Sequence, residues 1–155
     1  MTAPLVHIDA FTVAGPAART IFRDEANPAT ARLPALWSQF LLGGAGQQVP
    51  GRSPDSSLYG VYNDYVGDAL DFYTLTAGVA VTTPAPPPLT TVTVPAGDYL
   101  VFSGEGAMPQ TLIRIWTEIW SHFQQPGPWR RAYTTDFERY PAPGHVAVHI
   151  AVLPA

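Results

Sequence analysis

The chain has 155 residues and a mass of 16.7 kDa, enough for one domain around one core. Hydrophobic residues make up 46% and charged residues only 13%, which excludes a disordered chain; no apolar run approaches the roughly 20 residues that span a bilayer. There is no cysteine and all eight basic residues are arginine, so disulfide frameworks, thiolate zinc sites, cysteine nucleophiles, Schiff-base lysines and the phosphate-loop lysine are excluded together.

Val6 to Val13 reads as a strand, with Val6 and Ile8 on one face, ended by Gly15-Pro16. Asn27-Pro28 carries a helix-start signal. Pro34 breaks or restarts that helix, Leu33, Leu36, Trp37, Phe40 and Leu41 fall at helical spacing, and Gly43-Gly44 stops it. Ala45 to Ser57 is a loop. Leu58 to Tyr62 and Asp71 to Val81 form a hairpin. Thr82 to Leu89, with its proline run, is a stiff extended linker, followed by Val92-Thr-Val94 and a fourth strand from Asp98 to Ser103. Pro109 opens the clearest helix, to about Phe123, with the stripe Met108, Leu112, Ile115, Trp116, Ile119 and Phe123. Arg131 to Arg139 and His145 to Val152 are the last two strands.

Strand, helix, strand, strand thus occurs twice, either side of the proline linker. Leu33-Pro-Ala-Leu-Trp-Ser-Gln-Phe40 answers Leu112-Ile-Arg-Ile-Trp-Thr-Glu-Ile-Trp120, and Tyr59 to Tyr65 answers Thr134 to Tyr140. The expected fold is α+β: a duplicated β-α-β-β unit forming one domain over 1–155, with repeats at about 1–81 and 92–155 and a groove along the pseudo-twofold seam.

The net charge is −4. The only adjacent basic pair is Arg130-Arg131, which argues against direct nucleic-acid binding. Met1 to His7 has no basic segment followed by an apolar one. Together with the absence of cysteine this points to a cytoplasmic protein with no membrane association. No Gly-x-Ser-x-Gly, His-Glu-x-x-His or phosphate-loop pattern occurs. His145 and His149 share a strand face but lack closely spaced carboxylate partners, so no metal and no cofactor are expected. Four Trp and seven Tyr are many for so small a domain, which suits a ligand site walled by aromatic rings.

Val94-Pro-Ala-Gly-Asp-Tyr-Leu-Val-Phe-Ser-Gly-Glu-Gly106, then Ile115-Trp-Thr-Glu-Ile-Trp120, then Asp136-Phe-Glu-Arg-Tyr140 and the terminal strand resemble, in order and spacing, the GyrI-like small-molecule-binding family. Tyr59-Gly-Val-Tyr62 and Tyr73 to Val81 match its first half; the likeness is weak before Ala45. That family includes effector-binding domains of AraC-type and some MerR-type multidrug-responsive transcription regulators, as well as stand-alone proteins. The resemblance implies a central cleft for amphipathic, often cationic aromatic compounds, with the glutamate of Phe-Glu-x-Tyr, here Glu138, inside it.

Strand alternation supports this placement: Phe137 is the natural core residue under a helix, which turns Glu138 to the other face together with Asp136 and Tyr140. The internal alignment sets Asn63 opposite Glu138, where it would supply a hydrogen bond across the seam. Tyr62 and Tyr73 are candidate wall residues, Trp37 and Trp120 would reach over the cleft edge, and Trp116 reads as core. The expected function is a stand-alone small-molecule sensor, without a DNA-binding segment of its own and so dependent on a protein partner for regulation. Two other readings stand beside it: a hydrolase of strained electrophilic natural products, with Glu138 activating water and a tyrosine donating a proton, and a protein-binding gyrase inhibitor.

Overall fold

Three strands run almost without a break from Leu5 to Ile21: β1 (Leu5–Ile8), β2 (Phe11–Gly15) and β3 (Ala17–Ile21). They belong to a computed structural model of the chain that describes residues 3–44 and 46–155. Met1 and Thr2, which open the expected N-terminal segment, and Ala45, which opens the expected loop, lie outside the described residues. A short helix α1 (Phe22–Glu25), the helix α2 (Leu33–Leu42), β4 (Leu58–Asn63) and β5 (Phe72–Val81) complete the first half. The second half holds β6 (Thr90–Val94), β7 (Gly97–Glu105), α3 (Gln110–Gln124), β8 (Trp129–Arg131), β9 (Asp136–Tyr140) and β10 (His145–Pro154).

The strands form one antiparallel sheet in the order β1-β7-β10-β9-β4-β5-β2-β6, with β3 on β5 and β8 on β10. The α+β class and the twice-repeated strand–helix–strand–strand order are therefore present. β1 runs on into β2 across Asp9-Ala10, and β6 into β7 across Pro95-Ala96. These two runs pair with each other in one register, from Leu5↔Leu100 and Ile8↔Gly97 to Phe11↔Val94 and Gly15↔Thr90. Each run starts against one half of the sheet and ends in the other, so the halves are interlocked rather than merely adjacent.

Gly15-Pro16 does not end the first strand. β2 and β3 pair with β5 in a single register, Ala14↔Val79 and Ala17↔Thr76, and the Pro16 carbonyl accepts from the Ala77 amide at 3.0 Å. Proline keeps its acceptor here and loses only a donor. Glycine is required at position 15 because a Cβ there would lie 1.9 Å from the Ala77 carbonyl oxygen. Asn27-Pro28 does not start a helix either: the Asn27 side chain accepts from the Ala29 amide at 3.0 Å and closes a turn. Helix α2 starts at Leu33 with proline in its first turn. Its cap comes from a distance, as Glu25 accepts from the amides of Arg32 and Leu33 at 2.9 and 3.1 Å. The expected strand from Arg131 to Arg139 is two strands, parted where Tyr133 adopts a left-handed backbone with φ 54°.

Three apolar clusters follow from this sheet. Leu36 and Phe40 of α2 pack on Leu75, Ala77 and Val79, and Ile115 and Ile119 of α3 pack on Leu100, Phe102, Val148 and Ile150. The third lies on the sheet's other face and holds Val13, Tyr59, Val61, Val94, Tyr99 and Phe137, with Phe11 against them. Phe137 is therefore not under a helix, contrary to the sequence expectation. It fills the inside of the folded sheet, stacked on His149 at 4.1 Å, while both helices cover the opposite face. Burying such a ring stabilises by about 1.5–3 kcal/mol. Burial is also the main force that pushes the His149 imidazole down to about 4.

Candidate functional site

β9 and β4 meet at the centre of the sheet, pairing Glu138 with Gly60 and Asp136 with Tyr62. Since Phe137 faces the inner cluster, Glu138 faces the helices, on the seam between α2 and α3. The carboxylate has no solvent exposure. Its Oε2 accepts from the Tyr62 hydroxyl at 2.7 Å and from Trp116 Nε1 at 2.8 Å, and its Oε1 from the Tyr140 hydroxyl at 2.8 Å. All three donors are neutral, and Glu138 forms no ion pair among the described residues.

Burial holds the Glu138 carboxyl above its ordinary value, and the three donated hydrogen bonds pull the other way. The tyrosines respond in kind. Burial, and then the Glu138 charge, push the hydroxyls of Tyr62 and Tyr140 up. Burial followed by the charges of Glu25 and Glu138 raises Tyr73. The raised values keep these hydroxyls neutral, so the negative charge they surround is that of the Glu138 carboxylate.

Aromatic rings close over it. The Trp37 ring lies 5.5 Å from Tyr140, and a Cβ on Gly60 would come within 2.9 Å of Trp37 Cζ2 and 3.1 Å of Glu138 Oε1. Glycine at position 60 is what lets the indole approach the sheet this closely beside the carboxylate. The Tyr62 ring contacts Trp116 at 5.4 Å and Tyr73 at 5.6 Å. Further out, Phe22 at the start of α1 meets Trp120 of α3 at 5.4 Å, bridging the two halves.

Of the residues singled out from sequence, Glu138, Tyr140, Tyr62, Tyr73 and Trp37 come together at the seam, and Trp120 stands at the rim. Asn63 does not join them. Val61 lies in the inner cluster and Tyr62 bonds Glu138, so Asn63 falls on the inner face, and its buried Oδ1 has no partner. The internal alignment thus matches residues on opposite faces, as an odd offset along a strand does. Trp116, read from the helix stripe as core, donates directly to Glu138. Its indole N–H was the missed signal, because a half-buried Trp tends to turn its N–H to an acceptor. Gly60 and Tyr65 also escaped sequence reasoning.

Two residues away, Asp136 is equally buried but differently served. β10 pairs with β9 as far as His149↔Phe137 and with β8 from Val152↔Arg131. The Asp136 carboxylate fills the gap between them. Its Oδ1 accepts from the Ala151 amide at 2.9 Å; its Oδ2 accepts from Arg131 Nη2 at 2.8 Å and the Tyr65 hydroxyl at 2.6 Å. Burial is the largest influence on the Arg131 guanidinium and works to lower it, but Asp136 and its neighbours together hold it above its ordinary value.

The buried carboxylate beneath aromatic rings, between two halves of one sheet, sits in the fold of an effector-binding protein. The chain belongs to the Cass2 family of integron-associated effector-binding proteins, whose model matches residues 4–152. Among solved structures it is similar to the integron cassette protein VCH_CASS2 from the mobile metagenome of Vibrio cholerae: 35% identity, 98% of this chain and 96% of that one covered, TM-score 0.84. It shares its fold with SAV2435, solved bound to tetraphenylphosphonium, at 15% identity, 99% and 94% coverage and TM-score 0.76. It also shares the fold with a putative bacterial transcription regulation protein from Staphylococcus aureus, at 15% identity, 98% coverage of both chains and TM-score 0.75. No curated protein matches it. Among the described residues, no helix is long and apolar enough to cross a membrane.

Proposed function

We propose that the protein binds amphipathic organic cations in the seam between α2 and α3, with Glu138 as the counter-charge and Trp37, Tyr62, Tyr73, Trp116 and Tyr140 as the wall. The observation that carries this reading is the carboxylate itself: wholly buried, held by three neutral donors and lacking a cation of its own. A buried charge without a partner costs several kcal/mol, and a ligand cation recovers part of that cost while ring faces add cation–π attraction. Delocalised cations suit the site, because they are cheap to desolvate and match flat aromatic walls. The ligand-bound structure of SAV2435 supports the same class, since tetraphenylphosphonium is such a cation. Entry requires the aromatic roof, including the Phe22–Trp120 contact, to part. As part of the same reading, the protein works in the cytoplasm as a stand-alone sensor or sequestering module of the multidrug-regulator type, and a partner protein would carry any effect on transcription.

Titration with tetraphenylphosphonium, followed by tryptophan quenching, tests this. Glu138→Gln keeps the volume and removes the charge; affinity is expected to fall at least about tenfold, or 1.4 kcal/mol. Tetraphenylmethane derivatives made soluble by neutral groups should lose much less. Equal loss of both, or of neither, would overturn the role of Glu138.

A further inference from the structure

We propose that the site has two poles: the ligand cation lies at Glu138, and an acceptor oxygen of the same ligand lies at Arg131, so that the preferred compounds are aromatic cations carrying a carboxylate. This rests on the cation-binding reading above and narrows its ligand class. Three observations point to Arg131. Its side chain is 6% exposed, and only part of its donor set is used: Nη2 serves Asp136, while the buried Nε has no partner among the described residues. An unpaired buried donor destabilises the protein, and a ligand oxygen would remove that cost with a charge-assisted bond.

The second observation is proximity. Trp116 donates to Glu138 through Nε1, and its ring lies 5.8 Å from the Arg131 guanidinium, so one indole forms a wall common to both poles. A continuous line of rings joins them as well: Tyr62 to Tyr73 at 5.6 Å, Tyr73 to Tyr65 at 6.1 Å, and Tyr65 to Tyr133 at 5.9 Å.

The third is backbone strain. Tyr133 sits at φ 54°, a conformation that tyrosine adopts only when its surroundings demand it, and this sets its ring 4.6 Å from the Arg131 guanidinium. Beside the pair opens a groove of about 590 Å³, lined by Arg131, Tyr133, Trp129 and Phe123 among others. That is room for the carboxylate-bearing end of a ligand of drug size. Asp136 already balances the charge of Arg131, so the second pole contributes mainly direction and a desolvated donor.

The test uses a diaminoxanthylium dye bearing a free benzoate and the methyl ester of the same dye, which share the cationic core. By fluorescence anisotropy the acid should bind about fivefold or more tighter than the ester, and in Arg131→Lys the acid-to-ester ratio should fall to near one. Should that variant not fold, the Nε–H resonance of Arg131 in the unaltered protein reports directly: it should move on adding the acid and stay in place with the ester. Equal affinity for the two dyes, a preference that survives in Arg131→Lys, or an Nε–H signal blind to the acid overturns the second pole. When tetraphenylphosphonium still binds, such a result leaves the Glu138 reading intact; when it does not, both fail together.

Discussion

Asp136 and Glu138 sit two residues apart on one strand, on one face, both with no solvent exposure, yet they do opposite things. Asp136 has an arginine, a tyrosine and a backbone amide, and it seals the break between β8 and β9. Glu138 has two tyrosines and an indole, and no positive charge among the described residues. A fold that can place a guanidinium against one buried carboxylate two positions away has not done so for the other. Under the proposed function, the difference separates a structural anion, neutralised from within, from a recognition anion whose partner would come from outside.

The comparison should show most strongly in stability. Replacing Arg131 by Met leaves Asp136 buried and unpaired, and urea unfolding should register a loss of about 3–5 kcal/mol. Glu138→Gln removes a charge that had no counter-ion. The tyrosine hydroxyl left facing the new amide can turn and accept from it, so stability should stay within about 1 kcal/mol of the parent or rise. A large loss in Glu138→Gln would mean that the two carboxylates are structural alike.

Protonation offers the next test. The folded chain holds the Glu138 carboxyl above its ordinary value of 4.5, so between that pH and the raised value the folded state binds more protons than the unfolded one. Its contribution to stability is complete below 4.5 and declines as pH climbs through the raised value. Affinity for a permanent cation runs the other way, growing with pH until the carboxylate is fully formed. In Glu138→Gln both dependences should flatten. If tetraphenylphosphonium affinity in the parent protein ignores pH across this range, Glu138 is not the counter-charge.

The smallest effects concern single donors. Tyr140→Phe leaves Glu138 Oε1 without its donor, which should cost about 1–2 kcal/mol at a pH where the carboxylate is ionised and raise the midpoint of the pH-dependent binding further. Tyr65→Phe takes a donor from Asp136, which keeps Arg131 and the Ala151 amide; the expected loss is about 0.5–1 kcal/mol, with no change in that midpoint. Equal shifts of the midpoint in both variants would erase the distinction between the carboxylates.

Much of the architecture was legible in the residues. The hairpin of β4 and β5, the amphipathic α3 and the final strand follow from hydrophobic period and turn residues alone, and the duplicated order follows from the proline run between two similar element strings. The Phe-Glu-x-Tyr string with strand alternation placed Glu138 away from the core residue beside it, and Tyr140 with it. What failed were steps where one residue decides: Gly15-Pro16 reads as a stop, yet it passes a strand onward because the partner strand supplies the ladder. Asn63 reads as the counterpart of Glu138, yet strand alternation turns its side chain to the opposite face.

Composition, period and local motif by themselves determined the class of the fold, the absence of lysine and cysteine chemistry, and the presence of a carboxylate two residues from a tyrosine on one strand face. Only the tertiary structure decided which face of the sheet carries the helices, that the indole of Trp116 is a donor rather than filling, and that the positive charge of Arg131 goes to Asp136 and not to Glu138. Each of these depends on groups far apart in the chain, such as Tyr62 with Glu138 or Gly60 with Trp37. Such pairings arise from strand register and helix docking, which local sequence constrains only weakly because a shift of one residue leaves composition unchanged and reverses every face.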